Sequence, residues 1–334
     1  GTTAQRTSPT LIGTSTWKAI AAGQYHSLGI RADDKLFAWG SNYYGQLGDG
    51  TTTDRNSPTL IGSCTWKAIA AGLYHSLGIR ADDRLLAWGL NYYGQLGDGT
   101  CTDRNSPTLI GSCTWKAIAA GLYHSLGIRA DDRLLAWGRN ANGQLGDGTC
   151  TDRNSPTLIG SCTWKAIAAG MGHSLGIRAD NRLLAWGSNN YGQLGDGTTT
   201  TRYSPTLIGS CTWKAIAAGA DHSLGIRADD ALLAWGRNNS GQLGDGTWTY
   251  KSSPQETLVF ERYTITPGLH TALRFGDYIY NAIGSMFYVR NASDYSTARS
   301  FRLPGSIGPY SLARSGNTLF VAARGSAHLF SVDI

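Results

Sequence analysis

The chain has 334 residues, enough for one large domain or two ordinary ones. Its 44 glycines, 11 tryptophans and 16 tyrosines, with only 16% charged residues, predict a turn-rich, all-β protein, because so few charges can cover few solvated helix faces. The net charge of +6 is scattered without a Lys/Arg cluster, and no apolar run approaches the ~20 residues of a membrane span. Composition therefore argues against a nucleic-acid partner and against membrane insertion.

The first residues already look like part of a repeat. The opening GTTAQRTSPTLIG matches GTTTDRNSPTLIG at residues 50–62. We therefore expect the chain to be a piece of something longer, and we interpret 1–16 as a partial repeat whose outer strand could help to close a ring.

Five repeats of 49 residues follow, over residues 17–262. Each opens with WKAIAAG and continues with His-Ser, Trp-Gly and GQLGDGT at the same spacing. Such a period is the signature of a repeat architecture. Each unit is predicted to contain four short strands, WKAIA, HSLGIR, RLLAW and SPTLIG, because these segments are too short for helices and are separated by Gly, Asp-Asp or a Gly/Asp/Thr loop. A four-stranded unit of this length is typical of a propeller blade.

The last part of the chain, 263–334, is predicted to supply two divergent blades. Residues 263–280 can be laid over the repeat pattern with His270 and Thr271 in place of His-Ser. The pattern at 274–280 recurs 40 residues later at 314–320. Both observations favour a continuation of the repeats in a diverged form.

Five units and two units together predict an all-β, seven-bladed β-propeller of four-stranded antiparallel blades. The last outer position could be taken by residues 7–13, a copy of the outer strand, or by residues 329–334. In the alternative reading, both ends are cut and the two tail blades begin a second propeller.

The repeats closely resemble the regulator of chromosome condensation repeat family, whose units carry the same AxGxxHSL and WGxNxxGQLG motifs and the following Pro-containing segment. The resemblance runs from residue 1 to about residue 253. It implies a propeller, usually of seven blades. It leaves the function open, because relatives include a nucleotide exchange factor on chromatin and bacterial inhibitors that clamp β-lactamases.

The repeated polar residues are interpreted as structural. Five copies of one histidine would form a ring too wide for a single metal ion, whose ligand bonds are near 2 Å. GQLGDG lacks the strand-to-helix context of a phosphate loop, and Asp82 and Asp83 are predicted to occupy a hairpin turn. Since no Ser/His/Asp or Cys/His group stands outside the repeats, we predict no catalytic residue, no metal, no cofactor and no enzymatic activity.

Differences between the copies fall almost wholly in loops. Adjacent strands of a blade run antiparallel, so the loops after the first and third strands should emerge on one face and the Asp-Asp turn on the other. Tyr, Trp and Arg, which are enriched at binding hot spots, are frequent in these variable loops. Neutral drift is the alternative, but drift has no reason to favour aromatic residues. The predicted partner-binding rim comprises Tyr25, Tyr43, Tyr44, Tyr74, Tyr92, Tyr93, Tyr123, Arg139, Tyr191, Tyr203, Arg237, Trp248 and Tyr250.

The functional hypothesis is a non-enzymatic binding or scaffolding propeller whose rim holds a protein or glycan partner. We expect a surface-exposed or virion-type component, extracellular or on a particle surface rather than cytoplasmic. One alternative is a guanine-nucleotide exchange or chromatin-binding regulator, against which the scattered basic charge argues. The other is a self-assembling structural subunit.

The six cysteines are predicted to be unpaired within the chain. Four are copies of one position, and equivalent positions on adjacent blades should lie farther apart than the ~7 Å between Cα atoms that a disulfide allows. The other two should lie on the opposite face, so that only molecules stacked face to back could cross-link. The two sets are Cys64, Cys113, Cys162 and Cys211, and Cys101 and Cys150.

Overall fold

The computed structural model describes residues 2–257 and, beyond them, seven further strands. The described residues form β-strands and no helix, which confirms the all-β prediction, and none of them lies in a helix that could cross a membrane. The chain divides into two compact units, Gly1–Leu243 with Thr247–Glu256 and Gly244–Gly246 with Thr257–Ile334.

The first unit is built on one 16-stranded antiparallel sheet in which each strand pairs with its neighbours in sequence. The strands are β1 (Trp17–Ala22), β2 (His26–Arg31), β3 (Lys35–Gly40), β4 (Arg55–Ala71), β5 (His75–Arg80), β6 (Arg84–Gly89), β7 (Arg104–Ala120), β8 (His124–Arg129), β9 (Arg133–Gly138), β10 (Arg153–Ala169), β11 (His173–Arg178), β12 (Arg182–Gly187), β13 (Arg202–Ala218), β14 (His222–Arg227), β15 (Leu232–Gly236) and β16 (Lys251–Glu256).

The predicted strands exist, but two of them are continuous. The first part of β4 pairs with β3 of the first blade, and its last part pairs with β5 of the second blade. The outer strand of one blade therefore runs directly into the inner strand of the next, whereas the sequence predicted two separate strands. Gly62 makes this possible, because its φ of +60° is one that residues with a side chain rarely adopt.

The Asp-Asp pairs form the hairpin turns that the sequence predicted. Asp83 lies between β5 and β6 with φ +65°, in the left-handed region that Asp and Asn tolerate better than most residues. Its backbone N–H donates to the carbonyl of Arg80 at 2.9 Å. Asn181 occupies the same position in the fourth repeat with φ +66°.

The core lies between the blades. At the first junction, Leu28, Ile30 and Leu36 of one blade are in the same buried cluster as Trp66 and Trp88 of the next. The two indole rings meet at 5.7 Å between centroids, and the same cluster recurs at the next three junctions. Both faces of an internal blade are therefore buried, which explains why RLLAW carries apolar side chains on both faces.

The second unit contains two smaller antiparallel sheets, one of four strands and one of three. The strands are β17 (Ala272–Phe275), β18 (Tyr278–Ile283), β19 (Met286–Asn291), β20 (Thr297–Arg302), β21 (Tyr310–Ser315), β22 (Thr318–Ala323) and β23 (Leu329–Asp333). The 40-residue recurrence marks two equivalent hairpins, β17–β18 and β21–β22. His270 and Thr271 lie outside the described residues.

The seven-bladed ring stays a prediction. The 16-stranded sheet does not close on itself, because β1 and β16 are its two ends. Of the two candidates for the last outer strand, β23 is the third strand of the three-stranded sheet, and residues 2–16 form no strand.

Candidate binding face

A buried network ties neighbouring blades together beneath the variable loops. His75 Nε2 lies 3.0 Å from Ser125 Oγ of the next blade. Ser125 Oγ donates to the carbonyl of Gln95 at 2.8 Å, and Trp137 Nε1 donates to the same carbonyl at 2.9 Å. Because the hydroxyl proton of Ser125 is used on Gln95, the hydroxyl must accept from His75, and the imidazole is the neutral tautomer with its proton on Nε2.

The other ring nitrogen of His75, Nδ1, lies where no hydrogen-bond partner reaches it. His75 Nδ1 is buried without a hydrogen bond. A Cβ placed on Gly72 would lie 2.5 Å from it, which explains the glycine of the AxGxxHS motif. Burial lowers the pKa of His75 to about 3 and that of His124 to about 4. The repeated histidines therefore serve as neutral structural groups, and the described residues contain no cluster of His, Cys, Asp and Glu suited to a metal ion.

A buried asparagine in each repeat shapes the loop that carries the tyrosines. Asn91 Nδ2 donates to Asp98 Oδ1 at 3.0 Å and to the carbonyl of Thr100 at 3.1 Å, and Asn91 Oδ1 accepts from the backbone N–H of Leu96 at 2.9 Å. Although burial opposes ionisation of Asp98, hydrogen bonds from Thr100 and Arg104 hold its pKa below the ordinary value. GQLGDG is therefore a structural turn, as predicted, and it fixes the residues just after Asn91.

Tyrosines of the first two blades form a packed group on the variable face. Tyr25 stacks on Tyr74 with 5.3 Å between ring centroids and 13° between ring planes. Tyr44 lies 4.9 Å from Tyr74, and Tyr43 meets Tyr44 edge to face at 4.9 Å. Stacked and edge-to-face aromatic rings attract one another, and this attraction adds to the stabilisation that comes from the apolar area they bury.

The group continues onto the third blade. Tyr93 lies 5.1 Å from Tyr123 and meets Tyr92 edge to face at 4.9 Å. The guanidinium of Arg139 lies over Tyr93 at 5.1 Å and over Tyr123 at 5.8 Å, within cation–π range. We call this set the aromatic arc: Tyr25, Tyr43, Tyr44, Tyr74, Tyr92, Tyr93, Tyr123 and Arg139.

The phenol groups at the centre of the arc influence one another. The pKa of Tyr74 is raised by burial first and then by the neighbouring Tyr25, Tyr44 and Tyr123. These phenols come from three blades. The structure therefore brings eight of the thirteen predicted rim residues together.

The remaining rim residues lie apart from the arc. Tyr191 meets Tyr250 edge to face at 5.2 Å, and Arg237 lies over Tyr191 at 5.1 Å and pairs with Asp221 at 3.2 Å. The arc ends at the fourth and fifth blades, where Gly172 and Asp221 occupy the position held by Tyr74 and Tyr123.

Tyr203 lies against a glycine in the loop of the preceding blade, and Trp248 lies against a glycine of its own loop. A side chain on Gly143 would collide with the ring of Tyr203, and one on Gly241 would press on Trp248. The predicted single rim is therefore divided into the arc, the group around Tyr191 and these two isolated rings.

Two clefts beside the arc were missed by sequence reasoning. The first, of about 330 Å³, lies where Tyr43 and Tyr44 face Asp103 and Asn105 of the next blade. The second, of about 310 Å³, is the same site one blade further on. The DRNS segment after each tyrosine pair is visible in the sequence. Its contact with the tyrosines of the preceding blade is not.

The inner ends of the five blades converge on one cavity. It has a volume of about 240 Å³ and is lined by the Ala-Gly-x segment that ends each inner strand. Leu73 and Leu122 line it directly before Tyr74 and Tyr123 in sequence. The arc therefore lies at the same end of the blades as this cavity.

All six cysteines are free, as predicted. Cys101 lines the second cleft beside Tyr92 and Tyr93, on the variable face. Cys64 lies close enough to Arg80, next to the Asp-Asp turn, to raise the pKa of that arginine after the larger effect of Asp82. The two sets of cysteines therefore lie on opposite faces, as the sequence predicted.

Comparison with known families decides the affiliation of these repeats. Residues 33–79, 82–128, 131–177 and 180–226 match the Regulator of chromosome condensation (RCC1) repeat. A second model of the RCC1 repeat matches 17–46, 66–95, 115–144, 164–193 and 213–242. The chain belongs to the RCC1 repeat family.

Solved structures agree with this affiliation. Human WBSCR16 resembles the chain with a TM-score of 0.65 and 23% identity, over 73% of this chain and 68% of that one. Yeast RCC1 (Prp20) bound to Kap60 has a TM-score of 0.63 and 19% identity, over 89% and 77%. Prp20p from Saccharomyces cerevisiae, solved in a study of its binding to Gsp1p and histones, gives 0.63 and 19%, over 88% and 78%. These likenesses show an RCC1-like propeller fold, and no curated protein matches the chain.

Proposed function

We propose that this RCC1-repeat chain is a non-enzymatic binding propeller whose aromatic arc holds a protein or glycan partner. The aromatic arc carries the proposal, because seven tyrosines and one arginine from three blades meet on one face. Residues of these types contribute most of the energy at binding interfaces. The affiliation with RCC1 repeats supports a binding or regulatory role in general terms.

The arc exposes aromatic surface that the fold does not need. Tyr43 and Tyr92 are 74% and 70% exposed, yet the ring of each makes an edge-to-face contact with the tyrosine that follows it. A ring already fixed by its neighbour loses little conformational freedom when a partner covers it. The arc is therefore arranged for binding rather than for stability.

The opposite face offers paired charges instead. Lys67 pairs with Asp83 at 2.6 Å, and Arg80 pairs with Asp82 in the same turn. The Arg80 guanidinium lowers the pKa of Asp82 to about 2. Exposed pairs of this kind satisfy each other and are worth little to a partner. This contrast favours the arc as the binding face.

Two alternative functions would bring different partners. The likeness to Prp20p favours the exchange-factor or chromatin-binding alternative, since that protein was studied with Gsp1p and histones. Self-assembly into a structural particle is the other alternative. A place on an extracellular or virion-type surface stays a prediction.

The test compares two triple variants in a pull-down with size measurement. Tyr92→Ala, Tyr93→Ala and Arg139→Ala should weaken capture of the partner by about 2 kcal/mol or more, the scale of hot-spot truncation. The third repeat already carries Ala141 and Asn142 in place of these tyrosines, so the fold tolerates the change.

The control triple is Asp82→Ala, Asp83→Ala and Asp131→Ala on the other face. Equal or greater loss of capture in the control triple would show that the binding face is wrong. The size of the captured species separates a discrete partner from a small GTPase, from DNA and from a second copy of the chain.

A further inference from the structure

The two clefts beside the aromatic arc are copies of one site. Cleft one is formed by Tyr43 and Tyr44 of the first blade and by Asp103, Asn105 and Ser106 of the second. Cleft two has Tyr92 and Tyr93 facing Asp152, Asn154 and Ser155. Every residue of cleft one lies 49 positions before its counterpart, so the two sites are related by one blade.

Each cleft is lined on one side by a tyrosine pair whose outer ring is exposed. Tyr43 meets Tyr44 at 82° between ring planes, and Tyr92 meets Tyr93 at 88°. This contact restricts the outer ring, and Tyr43 and Tyr92 remain largely exposed, so their ring surface is accessible to a ligand. The face of an aromatic ring carries partial negative charge and attracts the weakly positive hydrogens of C–H groups.

The other wall presents fixed hydrogen-bond acceptors. Asn105 Nδ2 donates to the carbonyl of Gly50 at 3.0 Å, and Asn105 Oδ1 accepts from Ser106 Oγ at 3.3 Å, which leaves its second lone pair for a ligand. Asp103 Oδ1 accepts the backbone N–H of Asn91 at 2.7 Å, and Asp103 Oδ2 is left for a ligand.

Cleft two repeats this orientation. Asn154 donates to Gly99 at 3.0 Å, and Asp152 accepts from Asn140 at 2.6 Å. The Asp and Asn oxygens of either cleft therefore suit a ligand that brings hydrogen-bond donors.

The charges around the clefts favour a neutral donor. An anion would meet the carboxylate of Asp103, and Arg104, which also lines the cleft, is already engaged with Asp98 through Nε at 2.8 Å. A cation would gain little from a carboxylate that is exposed to solvent, and beside cleft two it would meet Arg139 over Tyr93. The chain's net charge of +6 also disfavours a basic partner.

We infer that each cleft is a subsite for one neutral sugar ring and that the two subsites together bind a repeating oligosaccharide. The inference rests on the proposed binding function of the arc. The C–H face of a pyranose packs on Tyr43 or Tyr92, and its hydroxyls donate to the Asp and Asn oxygens. Each shallow subsite binds weakly alone, and a chain that reaches both gains from linkage.

The third junction keeps the serine as Ser204 but lacks the tyrosine pair, the aspartate and the asparagine. Ala141 and Asn142 replace the tyrosine pair, Thr201 replaces the aspartate, and Tyr203 replaces the asparagine. The buried frame beneath is unchanged, because Asn140 still bonds to Asp147 at 3.0 Å. The fold therefore does not require the cleft residues. Their presence at two junctions points to a role other than stabilising the fold.

The experiment measures binding of maltohexaose, chitohexaose and mannohexaose to the full chain by calorimetry, with the monosaccharides titrated by saturation-transfer NMR. A matching monosaccharide should occupy two equivalent sites. Tyr43→Ala and Tyr92→Ala, which copy the native Ala141, should each leave one site and weaken the hexasaccharide about tenfold or more. The double variant should bind none, and Asn190→Ala, the same position in the fourth repeat, should bind as the parent does.

Three results would overturn the inference. They are no binding of any of the three hexasaccharides at millimolar concentration, sugar binding that survives the double variant, or competition for the clefts by a hexalysine peptide with no sugar bound. If sugars fail while the Tyr92, Tyr93 and Arg139 triple variant still loses a captured protein, the proposed binding face stands without the sugar. If that triple variant loses nothing either, the proposed function itself is wrong.

Discussion

Acid should unfold the five-repeat unit through its buried histidines. Four of them are neutral in the folded state, with pKa values lowered by burial to about 4 for His26 and His124 and about 3 for His75 and His173, against 6.5 in the unfolded chain. Below pH 6.5 the unfolded chain therefore binds protons that the folded chain does not. The contribution of these histidines to the free energy of unfolding is complete above pH 6.5 and is lost as the pH falls.

The magnitude follows from the linkage between protons and folding. Each buried histidine lowers the free energy of unfolding by about 1.4 kcal/mol for every pH unit below its unfolded pKa. At about pH 5 this is roughly 2 kcal/mol for one histidine and roughly 8 kcal/mol for four, while a folded domain has only about 5–15 kcal/mol in total. The turn carboxylates do not interfere, since the pKa values of Asp82 and Asp131 are held near 2 by their arginine partners.

Urea unfolding followed by circular dichroism between pH 7.5 and 5 measures the effect. His124→Gln should remove about a quarter of the pH dependence, because it removes one of four equivalent groups, whatever it does to stability at neutral pH. His222→Gln is the matched control, since that histidine is only partly buried and should change the slope less. An unfolding free energy that is the same at both ends of this pH range would refute the reasoning.

Three further predictions concern the buried hydrogen bonds and the cysteines. Ser125→Ala should lower the free energy of unfolding in urea by about 2 kcal/mol, because it leaves the buried His75 Nε2–H without an acceptor. Ser27→Ala removes neither the bond to His75 nor the bond to Gln95 and should cost less. Equal costs for the two variants would contradict the network. Asn91→Ala should cost roughly 3 kcal/mol or more in the same assay because several buried hydrogen bonds are lost together, and a neutral result would mean that the loop holds its shape without them. Thiol titration of the unfolded monomer without reductant should find six free thiols, and fewer would show that the cysteine placement is wrong.

Much of the local structure could be read from the 49-residue period. WKAIAAG, HSLGIR and RLLAWG form the predicted strands, and the Asp-Asp pairs form the predicted turns, because short apolar runs between turn residues leave the backbone few choices. The separate outer strand was wrong. A glycine in the middle of β4 was read as a break, and its positive φ instead lets the strand continue into the next blade.

The candidate site was only partly predictable. Strand direction placed the variable loops on one face, but it did not say which of the thirteen rim residues touch. Tyr44 and Tyr74 meet at 4.9 Å although they lie on different blades, while Tyr203 sits apart on Gly143. Which neighbours a loop residue meets depends on how one blade is turned against the next.

The sequence by itself determined the repeat, the all-β class, the turn chemistry and the side of the blades on which variation collects. Only the tertiary structure decided that His75 bonds to Ser125, that Tyr43 and Asn105 share a cleft, and that the rim divides after the third blade. The reason is that these partners lie on neighbouring blades, about one repeat apart along the chain. A strand's period of two residues fixes which face a side chain occupies, and the packing of one blade against the next fixes what that face meets.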